Sequence, residues 1–260
     1  SYTKNFGKQW EKYNSVQIDS VNNFDISENF LKNILFNDLE YLKNKNILEI
    51  GCGAGRFTEH IVKYSKLCIS VDMSSAIFHN VAKNSKNLIL VKSDFTKLLS
   101  KKKFDIVICR GVLQHTPNPL ISIKKLHEFI DIKGEIFFDI YPMPKIGYLH
   151  PKYLFWRPFI SYFFKYEQFE NYLHRNIEML LRFKRYLKKI TKSNFISDSI
   201  IPIWDYDKRI KLSKKQLMEW SILDTLDGIY AKYDKPKSNK QVKKFLKKEN
   251  LNLIKTNLLD

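Results

Sequence analysis

Three glycines at alternate positions, Gly51, Gly53 and Gly55, follow directly on the apolar run 47–50. Glycine has no Cβ and tolerates positive φ, so a strand that stops at such a turn lets the backbone approach a ligand. The next apolar run closes at Asp72, where a carboxylate can accept hydrogen bonds from both hydroxyls of a ribose. Together these features predict a site for an adenosine-like cofactor. A second kind of chemistry is available at His115, just past another apolar run, because imidazole titrates near neutrality and can act as a general base. The same side chain could instead hydrogen-bond the helix start at 116–119.

The elements that must position these residues follow an alternating pattern. Strand-like runs fall at 46–50, 67–71, 88–91, 104–109 and 135–141, with helical segments at 56–64, 75–83 and 120–130. Such alternation, with strands that read as continuous apolar runs, implies a mostly parallel sheet covered on both faces, with its ligand beyond the C-terminal strand ends. Ahead of it, the stretch 6–25 carries Trp10, Tyr13 and Gln17 at spacings of three and four, so one helical face could present all three. They could cover a ligand or staple the helix to the core. Ser27 then reads as the cap of an amphipathic helix with apolar positions Phe30, Leu31, Ile34, Leu35, Leu39 and Leu42.

After Tyr141 the character changes, with Pro142, Pro144, Pro151 and Pro158 breaking the alternation and a basic aromatic stretch following at 148–190. A helix around 167–187 would pair a lysine/arginine face with an apolar one. The expected organisation is an N-terminal helical cover at 1–45, a cofactor-binding core at 46–141, a cap insertion over the active site at 142–235, and a C-terminal helix (239–249) and strand (251–258) completing the core within 236–260.

Composition sets the remaining bounds. The chain has 260 residues, 44% of them apolar, enough for a sizeable core. Its three cysteines, Cys52, Cys68 and Cys109, show no Cys/His spacing, which fits a reducing compartment and no structural metal. No segment reads as an export signal or is apolar enough to span a membrane, so a cytoplasmic location is expected. The net charge of +18 is open to three readings: a solvated lysine surface, steering of an anionic substrate, or nucleic-acid binding. Nothing in the chain sets an oligomeric state.

Three-glycine turns serve nicotinamide, flavin and S-adenosylmethionine sites alike. Here the spacing is GxGxG, preceded by Glu49 inside the strand. With LEIGCGAGRFTE at 48–59, VDMSS at 71–75, SDF at 93–95, FDIVICRGVLQHTPNP at 104–119 and KGEIFFDIY at 133–141, the chain resembles the class I S-adenosylmethionine-dependent methyltransferases. The resemblance implies a Rossmann-like α/β fold, a seven-stranded, mostly parallel sheet with helices on both faces and a helical, aromatic cap inserted after the fifth strand. It implies S-adenosylmethionine as cofactor and S-adenosylhomocysteine as product. Gly51, Cys52, Gly53, Gly55 and Arg56 would lie along the methionine part, Glu49 would position the glycine loop or the amino group, and Asp72 with Met73 would hold the ribose. Asp94 and Phe95 would flank the adenine, Arg110 and Gly111 would sit beside the sulfonium, and Gln114 would line the pocket. Asp72 could also merely cap the turn at Ser74, and Arg110 could be a substrate contact or a salt bridge.

More of the chain is similar to one bacterial group of these enzymes, through Trp10, Tyr13 and Gln17, the segment 113–119, the segment 151–158, Ile201–Pro202 and the segment 223–236. The segment 228–231 departs from that group. Members often belong to surface-polysaccharide pathways, including capsule modification. The implied reaction is O-methylation of a polar sugar, nucleotide-linked or phosphorylated precursor, by in-line transfer with His115 as base. Candidate acceptor contacts are Trp10, Tyr13, Gln17, His150, Arg157, Tyr230 and Tyr233. An Asn-Pro-Pro-Tyr element and a Pro-Cys nucleophile, expected of base methylation, are missing, and only Asp105 lies near strand four for a metal-assisted site. The partner expected is therefore a small, anionic or sugar-containing acceptor rather than nucleic acid. RNA or nucleotide-base methylation is the alternative reaction, and a non-catalytic cofactor-binding regulator the alternative of another class.

Overall fold

The computed structural model describes residue 13, residues 15–206 and residues 212–255. The chain divides into one unit of residues 1–143 and 233–260 and a second of residues 144–232.

In the first unit, five parallel strands form one sheet in the order β3-β2-β1-β4-β5: β1 (Asn46–Ile50), β2 (Leu67–Asp72), β3 (Leu88–Lys92), β4 (Phe104–Cys109) and β5 (Ile130–Phe138). Successive strand residues point to opposite faces, and the core divides accordingly. Leu48, Ile50, Val107 and Cys109 pack on one face with Leu113, Ile123 and Leu126. Ile47, Ile106 and Ile108 pack on the other with Leu31, Leu35 and Ile61. Burial on both faces is why these strands read as unbroken apolar runs. The resemblance implied seven strands; five are present among the described residues, and 251–255, expected to begin a last strand, is irregular. β5 begins five residues earlier than the sequence pattern suggested, and its register shifts between the pairings Phe104–Ile130 and Ile106–Glu135. Gly134 makes that shift possible, since a Cβ there would lie 2.8 Å from the Phe104 carbonyl oxygen.

Helices of this unit are short: α1 (Asp19–Asn22), α2 (Ile26–Ile34), α3 (Thr58–Ile61), α4 (Pro119–His127) and, at the other end of the chain, Asn239–Lys248. Among the described residues, the expected N-terminal helix is replaced before Asp19 by turns, in which Tyr13 and Ser15 carbonyls accept from Val16 and Ile18. Ser27 is not a cap. The N-cap of α2 is Asp25, which makes no side-chain capping bond, and the exposed helix amides are met instead by Asp19, which accepts from Ser27 N at 3.0 Å and Glu28 N at 2.8 Å. The apolar pattern that continued to Leu42 is interrupted at Phe36 and Asn37, both at positive φ, and resumes as a 3-10 turn at Leu39–Leu42.

The second unit is helical: a π-helical turn at Lys152–Trp156, α5 (Arg157–Phe163), α6 (Tyr166–Thr191), α7 (Asn194–Ile200) and α8 (Lys214–Tyr230). The C-terminal helix Asn239–Lys248 of the first unit is α9. Ser213 and Ser238 each form a capping box with the Gln three residues on, starting α8 and α9. Along α6, Phe169, Leu173, Ile177 and Leu181 are buried at spacings of four, one face of a helix.

Candidate cofactor site

Chain direction across the sheet reverses between β1 and β4, with β2 and β3 on one side and β5 on the other. Ligands of open parallel sheets bind at such a switch point, beyond the carboxyl ends of the strands. Here those ends carry Gly51–Gly55 after β1 and Arg110–Gly111 after β4, and Ile50 is paired with Cys109.

The three loop glycines all have positive φ, but they serve different neighbours. A Cβ on Gly51 would lie 2.1 Å from Val112 Cγ2, and one on Gly55 2.5 Å from Asn80 Oδ1; one on Gly53 meets nothing within 4 Å. Gly51 and Gly55 therefore admit other parts of the chain, while Gly53 leaves bare backbone facing open space. Gly111 is open in the same way, at φ +68. A cofactor could approach the backbone at those two positions.

Asp72 fixes this loop. Its Oδ2 accepts from Gly53 N at 2.8 Å, and its Oδ1 accepts from Ser74 N at 2.8 Å and Ser74 Oγ at 2.7 Å. Capping and loop-holding are thus done by the same carboxylate. Glu49 is buried within β1 and accepts from Thr58 Oγ1 at 2.7 Å and Ser70 Oγ at 2.6 Å. It ties β1 to β2 and to α3. Burial pushes its carboxyl up to about 7, against the pull of Ser70 and Thr58 and with a smaller push from Asp72. Cys52 is buried and its thiol is held well above the ordinary range, chiefly by burial, which leaves it a packing residue rather than a nucleophile. Met73 is 41% exposed. Asp94 accepts from Thr96 N and Oγ1 at 3.0 and 2.7 Å, forming a turn after β3, and Phe95 is buried in the core beside Val71 and Leu113.

Arg110 is a salt bridge: its Nε donates to Asp139 Oδ2 at 3.1 Å, its Nη1 donates to Phe30 O at 3.0 Å, and its guanidinium lies over the Phe30 and Phe57 rings. Asp139 Oδ1 also accepts from Gly111 N at 2.6 Å. Arg56 shares the same two rings and donates to Gln17 Oε1 at 2.7 Å and Ser27 Oγ at 3.0 Å. Asp139, Asn80 and Val112 shape the site and escaped the sequence reading. For Asp139 a signal was available, since like Asp72 it is an acid at the C-terminal edge of an apolar strand.

His115 Nδ1 lies 2.9 Å from the Tyr233 carbonyl oxygen, and its ring meets Tyr141 edge-on at 5.7 Å. A carbonyl only accepts, so Nδ1 carries the proton and Nε2 is the lone-pair nitrogen of the neutral ring. Gln114 is fully buried, and neither amide atom has a hydrogen-bond partner among the described residues; its backbone carbonyl accepts from Lys235 N.

The expected acceptor contacts divide between the units. Tyr13 and Gln17 are buried in the first, and Trp10 lies outside the described residues. Tyr233 of that unit offers its carbonyl to His115 and its ring to Lys235. In the second unit, His150 Nδ1 accepts from Lys152 N at 3.1 Å, and Arg157 donates to the carbonyls of Gly228 and Ala231, closing the C-terminal end of α8. Tyr230 OH donates to Phe164 O at 2.9 Å. Asp105 accepts from Asn46 N at the opposite end of the sheet. Among the described residues no group of three His, Cys, Asp or Glu side chains is arranged to hold a metal ion, and no helix is long and apolar enough to cross a membrane.

Comparison with known proteins agrees with this geometry. Residues 48–138 match the model of a methyltransferase domain. A ubiquinone biosynthesis O-methyltransferase from Coxiella burnetii is 33% identical over 104 residues, which cover 38% of this chain and 44% of that protein. A tRNA U34 carboxymethyltransferase from Nautilia profundicola is 33% identical over 106 residues, covering 38% and 35%. The chain therefore spans under half the length of these curated relatives. The N-methyltransferase NodS from Bradyrhizobium japonicum, solved with S-adenosyl-l-homocysteine, is 19% identical at a TM-score of 0.39, covering 45% of this chain and 61% of NodS. Over residues 48–138 the chain is thus similar to a methyltransferase domain.

Proposed function

We propose that this chain transfers the methyl group of S-adenosylmethionine to a hydroxyl of a polar small molecule. The observation that carries the donor half is the bare backbone at Gly53, held in place by Asp72. Gly53 and Gly111 would pass along the methionine part, and Asp72, whose Oδ2 keeps a second lone pair beside the Gly53 bond, would take a ribose hydroxyl. Asp94 and Phe95 would bound the adenine. Glu49, whose Oε2 is shared between Thr58 and Ser70, would position the glycine loop or the cofactor's amino group. Once bound, the sulfonium supplies an electrophilic methyl group for in-line displacement.

The chain's own part is alignment and proton removal. Tyr233 O fixes the His115 tautomer with Nε2 as the basic nitrogen, which suits His115 to accept the acceptor's hydroxyl proton. For the acceptor, the net charge of +18 favours an anionic molecule, and the resemblance to the polysaccharide-linked group favours a sugar, nucleotide-linked or phosphorylated precursor. The relatives named above carry other acceptors in their names, a ubiquinone precursor and tRNA. The test is transfer from labelled S-adenosylmethionine to sugar nucleotides, phenolic quinone precursors and tRNA, with mass spectrometry identifying the methylated product. Methylated sugar nucleotide is the expected product. Exclusive labelling of a quinone precursor or tRNA overturns the acceptor, and absence of S-adenosylhomocysteine binding by calorimetry overturns the donor.

A further inference from the structure

The second unit displays apolar surface that its own core does not use. On α6, opposite the buried stripe, Tyr172, Met179, Phe183, Tyr186 and Ile190 are each 46 to 59% exposed. With half-buried Asn176 they alternate at spacings of four and three, which keeps them on one line along roughly 27 Å of helix. On α5, Tyr162 and Phe163 are 83% and 62% exposed, and Phe159 and Phe163 continue a run of ring contacts from Phe155 in the preceding π-helical turn, with centroids 5.2 and 4.8 Å apart.

Charge beside the α6 stripe decides between occupants. Arg175, Arg182 and Lys189 are exposed and recur every seven residues along one flank, Arg182 also pairing with Glu178, while on the other flank Leu180 and Leu187 are half-buried and Leu173 belongs to the buried stripe. A second copy laid antiparallel would set cation row on cation row. Laid parallel, it would set cations on a flank of half-buried leucines that carries no acid. Between Lys145 and Lys192 there are eleven Lys and Arg against three Asp and Glu. Aromatic rings suit the headgroup boundary, where one edge is apolar and the other wet, and a row of cations beside them matches anionic headgroups. The helix does not qualify as a membrane span, so it would lie in the interface plane.

We propose that α5 and α6 dock the chain on an anionic lipid bilayer. This goes beyond methyl transfer and holds whether or not the acceptor is the one proposed above.

The test is flotation of the full chain with phosphatidylcholine vesicles, with and without phosphatidylglycerol, in the absence of cofactor. Binding is expected only with phosphatidylglycerol and should weaken as salt is raised. Replacing the three cations (Arg175→Gln, Arg182→Gln, Lys189→Gln) should lower affinity about fivefold per cation, roughly a hundredfold together. A separate aromatic variant (Phe155→Ser, Tyr162→Ser, Phe163→Ser) should lose binding at any charge. All these side chains are exposed, and unchanged circular dichroism and melting of either variant keep the comparison valid. Wild-type protein that stays with the soluble fraction overturns the proposal, as do two variants that bind like wild type. Sedimentation of a dimer that both variants dissociate assigns the face to a second copy and also overturns it.

Discussion

Gly53 N donates to Asp72 Oδ2 at 2.8 Å, so the carboxylate at the end of β2 holds the one loop glycine whose Cβ direction is open. Asp72→Ala removes this bond and the two from Ser74 together, freeing the loop and deleting the proposed ribose contact. Calorimetry with S-adenosylhomocysteine should show affinity lowered at least tenfold, on the order of 1.5–3 kcal/mol for a charged hydrogen-bonding group. Affinity within twofold of wild type would remove Asp72 from the cofactor site.

Gly53→Arg tests the same surface by filling it. The side chain enters space where a Cβ meets nothing within 4 Å, at φ +49, so the protein should fold with a modest strain cost of about 1 kcal/mol. Cofactor binding should be lost while circular dichroism is kept. Retained binding would mean that the donor lies elsewhere.

Glu49 makes stability depend on pH. Its folded pKa of about 7 stands above the ordinary value of 4.5, so between those values the folded chain keeps a proton that the unfolded chain has released. Stability therefore falls as pH rises from about 4.5 to about 7 and levels off above. Glu49→Gln keeps an oxygen acceptor for Thr58 and Ser70 and abolishes the titration. The difference in unfolding free energy between variant and wild type should grow in the variant's favour by up to about 3 kcal/mol across that window. Urea titrations at several pH values measure it, and a flat difference would place Glu49 outside the titration.

How far the sequence carried depended on the range of the interactions. β1 to β4 were legible to within a residue, because each is a nearly continuous apolar run, in β1 and β4 through burial on both faces. The glycine loop and Asp72 were legible because backbone freedom and a strand-end acid are local properties. The N-terminal contacts were not. Asp19 receives the amides that start α2 and offers its own amide to Glu59, forty residues on, and only the folded chain brings those together. The ion pair of Arg110 was hidden for the same reason, since Asp139 stands twenty-nine residues away. β5 was misplaced at its start because exposed Asp131, Ile132 and Lys133 hide the strand pattern where the register shifts.

Asp19 should act in the opposite direction to Glu49. Burial alone would raise its carboxyl, but hydrogen bonds from His60, Ser27 and Glu28 outweigh it and hold the pKa below 3.8. The stability it contributes is present above the unfolded pKa and is lost as pH falls through the folded one. Asp19→Ala should destabilise the protein by about 1–3 kcal/mol at pH 7, since two helix amides lose their acceptor. That deficit should shrink at acid pH, read by thermal melting; a deficit that does not change with pH would show that the charge is not involved.

Arg157 was expected to touch the acceptor, yet its guanidinium donates to Gly228 O and Ala231 O. Positive charge at a helix C-terminus is favourable, so Arg157→Ala should lower stability by about 1–2 kcal/mol. Arg157→Lys keeps the charge without the two-point contact and should recover part of it. An unaltered melting temperature in Arg157→Ala would deny the capping role and return Arg157 to the acceptor candidates.

His115 separates binding from chemistry. Because Tyr233 O holds Nδ1–H, the ring offers Nε2 as its base, and His115→Ala deletes that base without touching the glycine loop or Asp72. Turnover on the acceptor should fall by about 10²–10⁴, the usual worth of general-base catalysis, with S-adenosylhomocysteine affinity within about twofold, consistent with a group outside the donor site. His115→Asn can restore a hydrogen bond to Tyr233 O but offers no titratable base, so a purely structural role would be rescued by it and a catalytic one would not. Equal turnover in His115→Asn and wild type would therefore assign His115 to positioning and leave the acceptor's proton to another group.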